Sequence, residues 1–458
     1  MILEQHYLAC LSQASYLIVD ERTKTAAVVD PRRDVQLYLD RAADLGVTIR
    51  HVLLTHFHAD FLAGHLELQK RTGATIWLGA AGRAEYEASP MEDGGSLEFG
   101  DVRLGFLATP GHTPESTCIT VFDLAKDREH PHAVLTGDTL FIGDVGRPDL
   151  LVSAGMEATD LGGMLFDSLR QKLLTLPDET IVYPGHGAGS ACGKNLSSDT
   201  SSTIGRQRAT NYALQPMEKD EFVRLVASEQ PRAPGYFAHD AVLNRKKHAT
   251  LDQVLDGLKP LPLEAVLAAV NGGAALLDTR AADEFALGHV SGSINIGLGG
   301  RFASWAGTML PASRKVVLLT SPGDERESAL RLGRIGFDHV AGYLQGGIAA
   351  VEARPELLSS YTRLTPQALE QRLSDSAPPL VVDIRTPGEW NAGHIDTALH
   401  VELDDLPRRL DEIPRDRDLV VVCRGGYRSS IGASLLEGAG YTKVTDLVGG
   451  MDAYAVRR

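Results

Sequence analysis

The sequence predicts an α/β protein of several domains, on three observations. Short apolar runs alternate with helix-like stretches along the chain. Four of these runs in the first half end in glycine-bearing turns that carry histidine or aspartate, and the second half contains one unit written twice. At 458 residues and 43% hydrophobic content the chain can bury about three separate cores.

The first informative run is His51-Val52-Leu53-Leu54, which reads as a buried strand. The loop leaving it is Thr55-His56-Phe57-His58-Ala59-Asp60-Phe61, and Gly64 opens a helical pattern behind it. Two imidazoles and a carboxylate at alternate positions after a strand end can be aimed at one point. The spacing resembles the H-x-H-x-D-H signature of the metallo-β-lactamase superfamily, with Phe61 where the last histidine belongs. Three more turns follow. His112 lies in Thr109-Pro110-Gly111-His112, Asp138 in Thr136-Gly137-Asp138 after the strand-like Ala133-Val134-Leu135, and His186 in Tyr183-Pro184-Gly185-His186 after Ile181-Val182.

Phe61 bears on the metal count. A two-metal hydrolase needs Asp60, a histidine at position 61, His186 and a bridging Asp138 for its second ion, and a benzyl group ligates nothing. His56, His112 and Asp138 remain as two imidazoles and one carboxylate, a set that suits one non-haem Fe(II) with open positions for oxygen chemistry. Zinc on His56, His58 and His112, with a hydrolytic water, is the competing reading, and spacing does not separate the two.

Further segments narrow the resemblance. Gly143-Asp144-Val145-Gly146-Arg147-Pro148-Asp149, the stretch from Gly187 to Lys194 and the stretch from Thr203 to Tyr212 make roughly residues 1–250 resemble the persulfide dioxygenases of that superfamily. The resemblance implies an αββα sandwich and one Fe(II) per chain, held by His56, His112 and Asp138. It also implies a low-molecular-weight thiol persulfide and dioxygen as substrates, with sulfite and the parent thiol as products. His58, Asp60 and His186 then orient ligands or form an alternative metal set, and Arg147 is a candidate substrate contact. A zinc thioester hydrolase of glyoxalase II type is the alternative.

Four cysteines occur, Cys10, Cys118, Cys192 and Cys423, too far apart to suggest a disulfide framework and so expected to be reduced. Cys10 and Cys118 sit in apolar, strand-like runs and read as buried small hydrophobes. Cys192 lies in a Gly/Ser-rich loop near Lys194, where an exposed thiol beside a cation ionises readily, so it joins the catalytic candidates. A net charge of −15 argues against nucleic acid or an anionic membrane as partner. The stretch Met1 to Asp20 has no basic leader and no run approaches a spanning helix, so a cytoplasmic protein, associating as a homo-oligomer, is expected.

The repeat comes next. Leu276-Leu277-Asp278-Thr279-Arg280 and Val381-Val382-Asp383-Ile384-Arg385 are offset by 105 residues, and Glu284-Phe285 and Glu389-Trp390, then Gly288-His289 and Gly393-His394, keep that offset. Each copy has a second apolar strand, Val316 to Leu319 or Leu419 to Val422, and closes on a glycine pair. Strands alternating with helical patterns imply two parallel-sheet α/β domains. The polar run Asn244-Arg245-Lys246-Lys247 with Pro260 and Pro262 marks one boundary, and Ser359-Ser360 the other. The expected domains are 1–250, 258–355 and 360–458.

In the last copy the second strand runs into Cys423-Arg424-Gly425-Gly426-Tyr427-Arg428 and then a helix. A thiol between a strand end and a helix N-terminus meets inward-pointing N–H groups. Gly425 and Gly426 let the loop curl, and Arg424 and Arg428 favour the thiolate or an anionic substrate. The motif resembles the active loop of rhodanese sulfurtransferases, whose cysteine carries a sulfane sulfur, which makes Cys423 catalytic. The first copy reads Thr320-Ser321-Pro322-Gly323-Asp324-Glu325 there, with no thiol and with acids in place of arginine, and is expected to be inactive. Together the domains suggest an iron persulfide dioxygenase whose sulfite meets a Cys423 persulfide and leaves as thiosulfate. Glutathione, coenzyme A and other small thiols all remain compatible as the carrier.

Overall fold

The structure, a computed structural model, describes residues 1–150, 155–228 and 230–456. The chain divides into two compact units, one of Met1–Gln253 with Gly333–Gly336, the other of Val254–Leu332 with Phe337–Arg458.

In the first unit, β1 (Ile2–Leu8), β2 (Gln13–Asp20), β3 (Thr25–Val29), β4 (Thr48–Leu54), β5 (Thr75–Gly79) and β6 (Ser89–Met91) form one six-stranded sheet in chain order. A second six-stranded sheet holds β7 (Ser96–Phe99), β8 (Val102–Ala108), β9 (Thr117–Asp123), β10 (Ala133–Gly137), β11 (Ile181–Pro184) and β12 (Ser202–Thr203). Side chains alternate across a strand, so a strand buried on both faces must be apolar throughout. Tyr16, Ile18, Ala27, Val29 and Leu53 meet Leu104, Ile119, Val121 and Leu135 between the two sheets. Their neighbours Leu17, Val19, Ala26, Val28 and Val52 face the other way, onto Tyr38 and Ala42 of the helix Gln36–Leu45 and Leu68 of the helix His65–Thr72. Cys118, Val134 and Val182 pack on Leu165 and Leu169 of the helix Ala158–Gln171 and on Phe222. Helix, sheet, sheet, helix is the result. It is the expected αββα sandwich.

The second unit contains both copies of the repeat. The first copy has the strand order β13 (Pro260–Leu261), β18 (Val340–Leu344), β17 (Val316–Leu319), β14 (Ala275–Asp278) and β16 (Ile294–Asn295), while β15 (His289–Val290) pairs with β19 (Leu358–Ser359). The second has the order β21 (Leu399–His400), β20 (Leu380–Asp383), β22 (Leu419–Val422) and β23 (Val444–Asp446), all parallel. Parallel neighbours place their carboxyl ends on one side, which is where α/β folds present their chemistry. Cys423 follows β22 and Thr320 follows β17.

One expectation about the cysteines fails in part. Cys118 is a fully buried β9 residue, whereas Cys10 sits in the turn between β1 and β2 and is only half-buried.

Candidate functional site

His56, His112 and His186 each have one ring nitrogen spoken for, and the partner decides where the other points. The Thr55 hydroxyl donates to Asp30 Oδ2 at 2.8 Å, so its oxygen is left to accept from His56 Nδ1 at 3.0 Å. The Nδ1–H of His112 donates to the Arg147 carbonyl at 2.9 Å, and that of His186 to the Ser12 carbonyl at 3.1 Å. Each bond fixes a tautomer that leaves Nε2 with its lone pair, the form a metal needs. All three Nε2 atoms approach Asp138, at 3.8 Å for His56 and 3.5 Å for His112 to Oδ2, and 3.5 Å for His186 to Oδ1.

Three sets of buried ligand atoms lie within 4.8 Å of one another: His56, His112 and Asp138; His58, Asp60 and His186; and Asp138, His186 and Cys192. Both carboxylate oxygens of Asp138 and the Nε2 of His186 are buried with no hydrogen-bond partner. Such orphaned atoms are costly unless a cation satisfies them, so the residues present fit a metal ion. Electrostatics agree. Burial, reinforced by the imidazoles of His58, His112 and His186, holds His56 well below its usual value, and burial likewise lowers His112. For His186, burial works downward, yet the Asp138 and Asp60 carboxylates outweigh it and the net direction is up. The downward direction at His56 and His112 favours the neutral imidazole that a metal ion takes.

Phe61 is 1% exposed, with its ring centroid 4.3 Å from that of His58 and 6.5 Å from that of His186. It flanks the second ligand set, whose His58, Asp60 and His186 lie together beside its ring. His58 approaches Asp30 Oδ1 at 3.0 Å.

Two candidates behave differently from expectation. Cys192 is not exposed; it is 1% accessible, and Lys194 turns away to donate to the carbonyls of Leu225 at 2.7 Å and Ser228 at 3.1 Å. Burial, with Asp60 and Asp138 adding negative charge, pushes its thiol well above the ordinary range, the opposite of activation. Arg147 is 3% exposed and committed: its guanidinium forks onto Asp149 at 2.6 and 2.8 Å and donates to the carbonyls of Ala191 and Pro231 at 3.0 and 2.7 Å. It braces the loop that carries the His112 acceptor, and four of its five N–H donors are taken by protein acceptors.

The run around Asn244, read from sequence as a boundary, belongs to the site. Asn244 is fully buried, donates to the carbonyls of His58 and Phe61 at 2.8 Å each, and accepts from the Ala63 N–H at 2.9 Å. It ties down the second half of the ligand loop, from His58 to Ala63. The guanidinium of Arg245 lies 5.1 Å over the Phe57 ring. Beside His112 opens a cavity of about 430 Å³ with apolar walls that include Phe57, Leu150, Pro234, Phe237 and Val242, and among the described residues Arg245 is the cation that lines it. Asp30 and Glu115, whose carboxylate takes the Phe57 N–H at 3.0 Å, also escaped the sequence reading, because their partners are more than twenty residues away.

In the second unit the Cys423 thiol is buried, and Gly426 donates its N–H to the sulfur at 3.1 Å. Gly426 has φ +86°, and a Cβ there would stand 2.9 Å from the Gly449 nitrogen, so both conformation and space demand glycine. Gly425 has open space around its Cα. Neither arginine is a free cation. Arg428 forks onto Glu389 at 2.6 and 2.8 Å, and Arg424 is exposed and 3.3 Å from Asp452. The loop's field at sulfur therefore comes from the Gly426 N–H together with a compensated Arg428.

Comparison with known proteins agrees with both halves. Residues 8–186 match the metallo-beta-lactamase superfamily, and residues 263–354 and 365–456 each match the rhodanese-like domain. The mitochondrial persulfide dioxygenase of Homo sapiens is 30% identical over 234 residues, which is 50% of this chain and 81% of that protein. A sulfurtransferase of Allochromatium vinosum is 45% identical over 89 residues, 19% of this chain and 83% of its own length. A crystal structure of a metallo-beta-lactamase from Staphylococcus aureus superposes with a TM-score of 0.66 at 30% identity, covering 75% of this chain and 98% of that one. With the αββα sandwich, its converging histidines and the duplicated α/β domain all matched, the chain belongs to the metallo-β-lactamase superfamily and carries two rhodanese-like domains after that fold.

Proposed function

We propose that the first unit is a mononuclear Fe(II) persulfide dioxygenase and that Cys423 is the sulfur carrier of a coupled sulfurtransferase. The observation that supports the first part is Phe61. His56, His112 and Asp138 form a compact triad with Nε2 and carboxylate atoms directed at one point, while the aromatic ring flanks the other ligand set. A bound Fe(II) would supply the activation of dioxygen that sulfur oxidation requires. The chain's own residues do the rest. Thr55, the Arg147 carbonyl and the Ser12 carbonyl hold the imidazole tautomers. The apolar cavity beside His112 receives the carrier and keeps water from the persulfide, and Arg245 meets a negative group on it. Overall, persulfide, dioxygen and water give the thiol, sulfite and two protons.

At Cys423 the thiolate attacks the outer sulfur of a second persulfide and releases its thiol. Sulfite then attacks the sulfur held on Cys423; the S–S bond breaks, its electron pair stays on the cysteine sulfur, and thiosulfate departs. The Gly426 N–H, already on that sulfur, stabilises the thiolate as leaving group.

Anaerobically purified protein should hold one iron per chain and consume oxygen with small thiol persulfides. Two zinc ions per chain, thioester hydrolysis and no oxygen consumption would establish the hydrolase instead. Phe61→His returns the missing ligand type, and we expect it to raise the metal count or mix the metals while oxygen uptake falls. An unchanged count would remove Phe61 as the reason for a single ion.

A further inference from the structure

The first rhodanese-like copy has no thiol, yet it grips the loop that does. Tyr427 stands between Gly426, which donates to the Cys423 sulfur, and Arg428, where the following helix Arg428–Gly438 begins. Its hydroxyl donates to the Gly297 carbonyl of the first copy at 2.6 Å. Its ring lies against Gly297 and Gly300: a Cβ on either would stand 3.6 or 3.8 Å from the Tyr427 ring. At the repeat's offset the second copy reads Glu402-Leu403-Asp404-Asp405 where the first reads Gly297-Leu298-Gly299-Gly300, so bare backbone is particular to the copy that receives the tyrosine. Arg331 holds this loop from its own side, donating to the carbonyls of Leu298 and Gly300.

The same helix is held twice more. Ser430 donates to Asn295 Oδ1, and the Asn295 N–H donates to Ser434 Oγ at 3.1 Å. Asn295 is itself fixed by its amide's bonds to the carbonyls of Asp278 and Arg280, at 3.1 and 2.9 Å. One turn further on, Glu437 lies 2.8 Å from His289 Nε2. These contacts join one face of the reactive helix to one edge of the inactive sheet.

We propose that the inactive copy is a positioning platform for the active loop, with Tyr427 and Gly297 as its positioning residues. A loop with two consecutive glycines has much freedom to lose, and a Gly426 conformation at φ +86° is one of many open to it. Anchoring Tyr427 restricts that freedom next to the bond that matters, so the N–H groups meet the sulfur already oriented. This inference rests on Cys423 being the sulfur carrier.

The test uses the full chain, with thiosulfate and cyanide as substrates and rates expressed per titrated Cys423 thiol. Tyr427→Phe keeps the ring and removes one neutral hydrogen bond, so kcat should fall about 3- to 10-fold with little change in KM. Gly297→Val, in the other domain, should push the ring away and lower kcat at least as much. In both variants the pH profile of Cys423 alkylation by iodoacetamide should move upward, as the oriented N–H donor is lost. Unchanged kcat per thiol and an unmoved profile would overturn the platform, and so would a lowered melting temperature with both of those values unchanged. If the unaltered chain makes no thiocyanate, the reading of Cys423 as sulfur carrier fails first; the alkylation profiles then decide the platform by themselves.

Discussion

The two rhodanese-like copies share a scaffold and differ in its use. Each buries an aspartate–arginine fork at the end of a central strand, β14 or β20, Asp278 with Arg280 and Asp383 with Arg385, and each arginine also donates to a glycine carbonyl, Gly288 at 2.9 Å and Gly393 at 2.8 Å. Each stacks a histidine on an aromatic ring, His289 on Phe285 at 3.8 Å and His394 on Trp390 at 3.6 Å. The repeat seen in sequence is thus a repeat of structural devices. The difference lies after β17 and β22. Cys423 receives the Gly426 N–H, and Glu389 is answered by Arg428; in the first copy Thr320 takes the thiol's place and Glu284 has only the Ala281 N–H among the hydrogen bonds of described residues. His289 is buried and faces Glu437, whereas His394 is exposed. The lesson is that a fold outlasts its chemistry when the residues that hold the sheet are not those that react.

The largest effect should come from Cys423→Ser. A hydroxyl cannot carry sulfane sulfur, so thiosulfate:cyanide transfer should drop by at least about a thousandfold, in line with removal of a nucleophile. Sulfite should then accumulate in place of thiosulfate while persulfide-dependent oxygen uptake persists; loss of that uptake would mean that Cys423 feeds the iron site. Ser321→Ala in the first copy should alter neither assay. Removing a metal ligand is comparably severe on the other half: His56→Ala, His112→Ala or Asp138→Ala should abolish oxygen uptake and lower iron content by more than the roughly 10- to 100-fold typical of residues that only orient a ligand. Metal analysis beside the oxygen electrode checks both.

A sharper probe moves the thiol itself. Thr320→Cys combined with Cys423→Ser should not restore sulfur transfer, because Asp324 and Glu325 place negative charge where the second copy has arginine. Recovery beyond a few per cent of the unaltered rate would show that the cysteine alone separates the copies. Gly426→Ala should cost about 1–3 kcal/mol of strain at the loop and slow Cys423 alkylation, since its φ is +86° and its Cβ has no room.

The smallest expected effect is a pH dependence. Burial alone would raise the Glu389 carboxyl, but the Arg428 fork overrides it and holds the group at about 2, below its usual 4.5. A carboxyl depressed on folding contributes stability above its unfolded value, and loses it as pH falls through the folded one. The melting-temperature difference between the unaltered chain and Glu389→Gln should therefore be full above about pH 5 and shrink as pH falls toward 2. A difference independent of pH would show that the fork's charge does not matter.

Sequence alone determined the parts that depend on local pattern. Apolar strands alternating with helical stretches, the turn residues His56, His112, Asp138 and His186, and the strand–Cys423–glycine–helix order are each written within a few positions, so periodicity and motif expose them. The missing thiol of the first copy is equally plain. What only the tertiary structure decided are properties set by partners far along the chain. Cys192 looked exposed because a Gly/Ser-rich loop usually is, yet this loop folds inward to Asp138 and His186. Arg147 and Arg428 looked like free cations until Asp149 and Glu389 were found on them. Asn244 and Tyr427 carried no signal at all, since a side chain that binds backbone carbonyls of another segment, as at His58, Phe61 and Gly297, leaves no pattern in either sequence. A backbone carbonyl is present in every residue, and only the fold says which one is near.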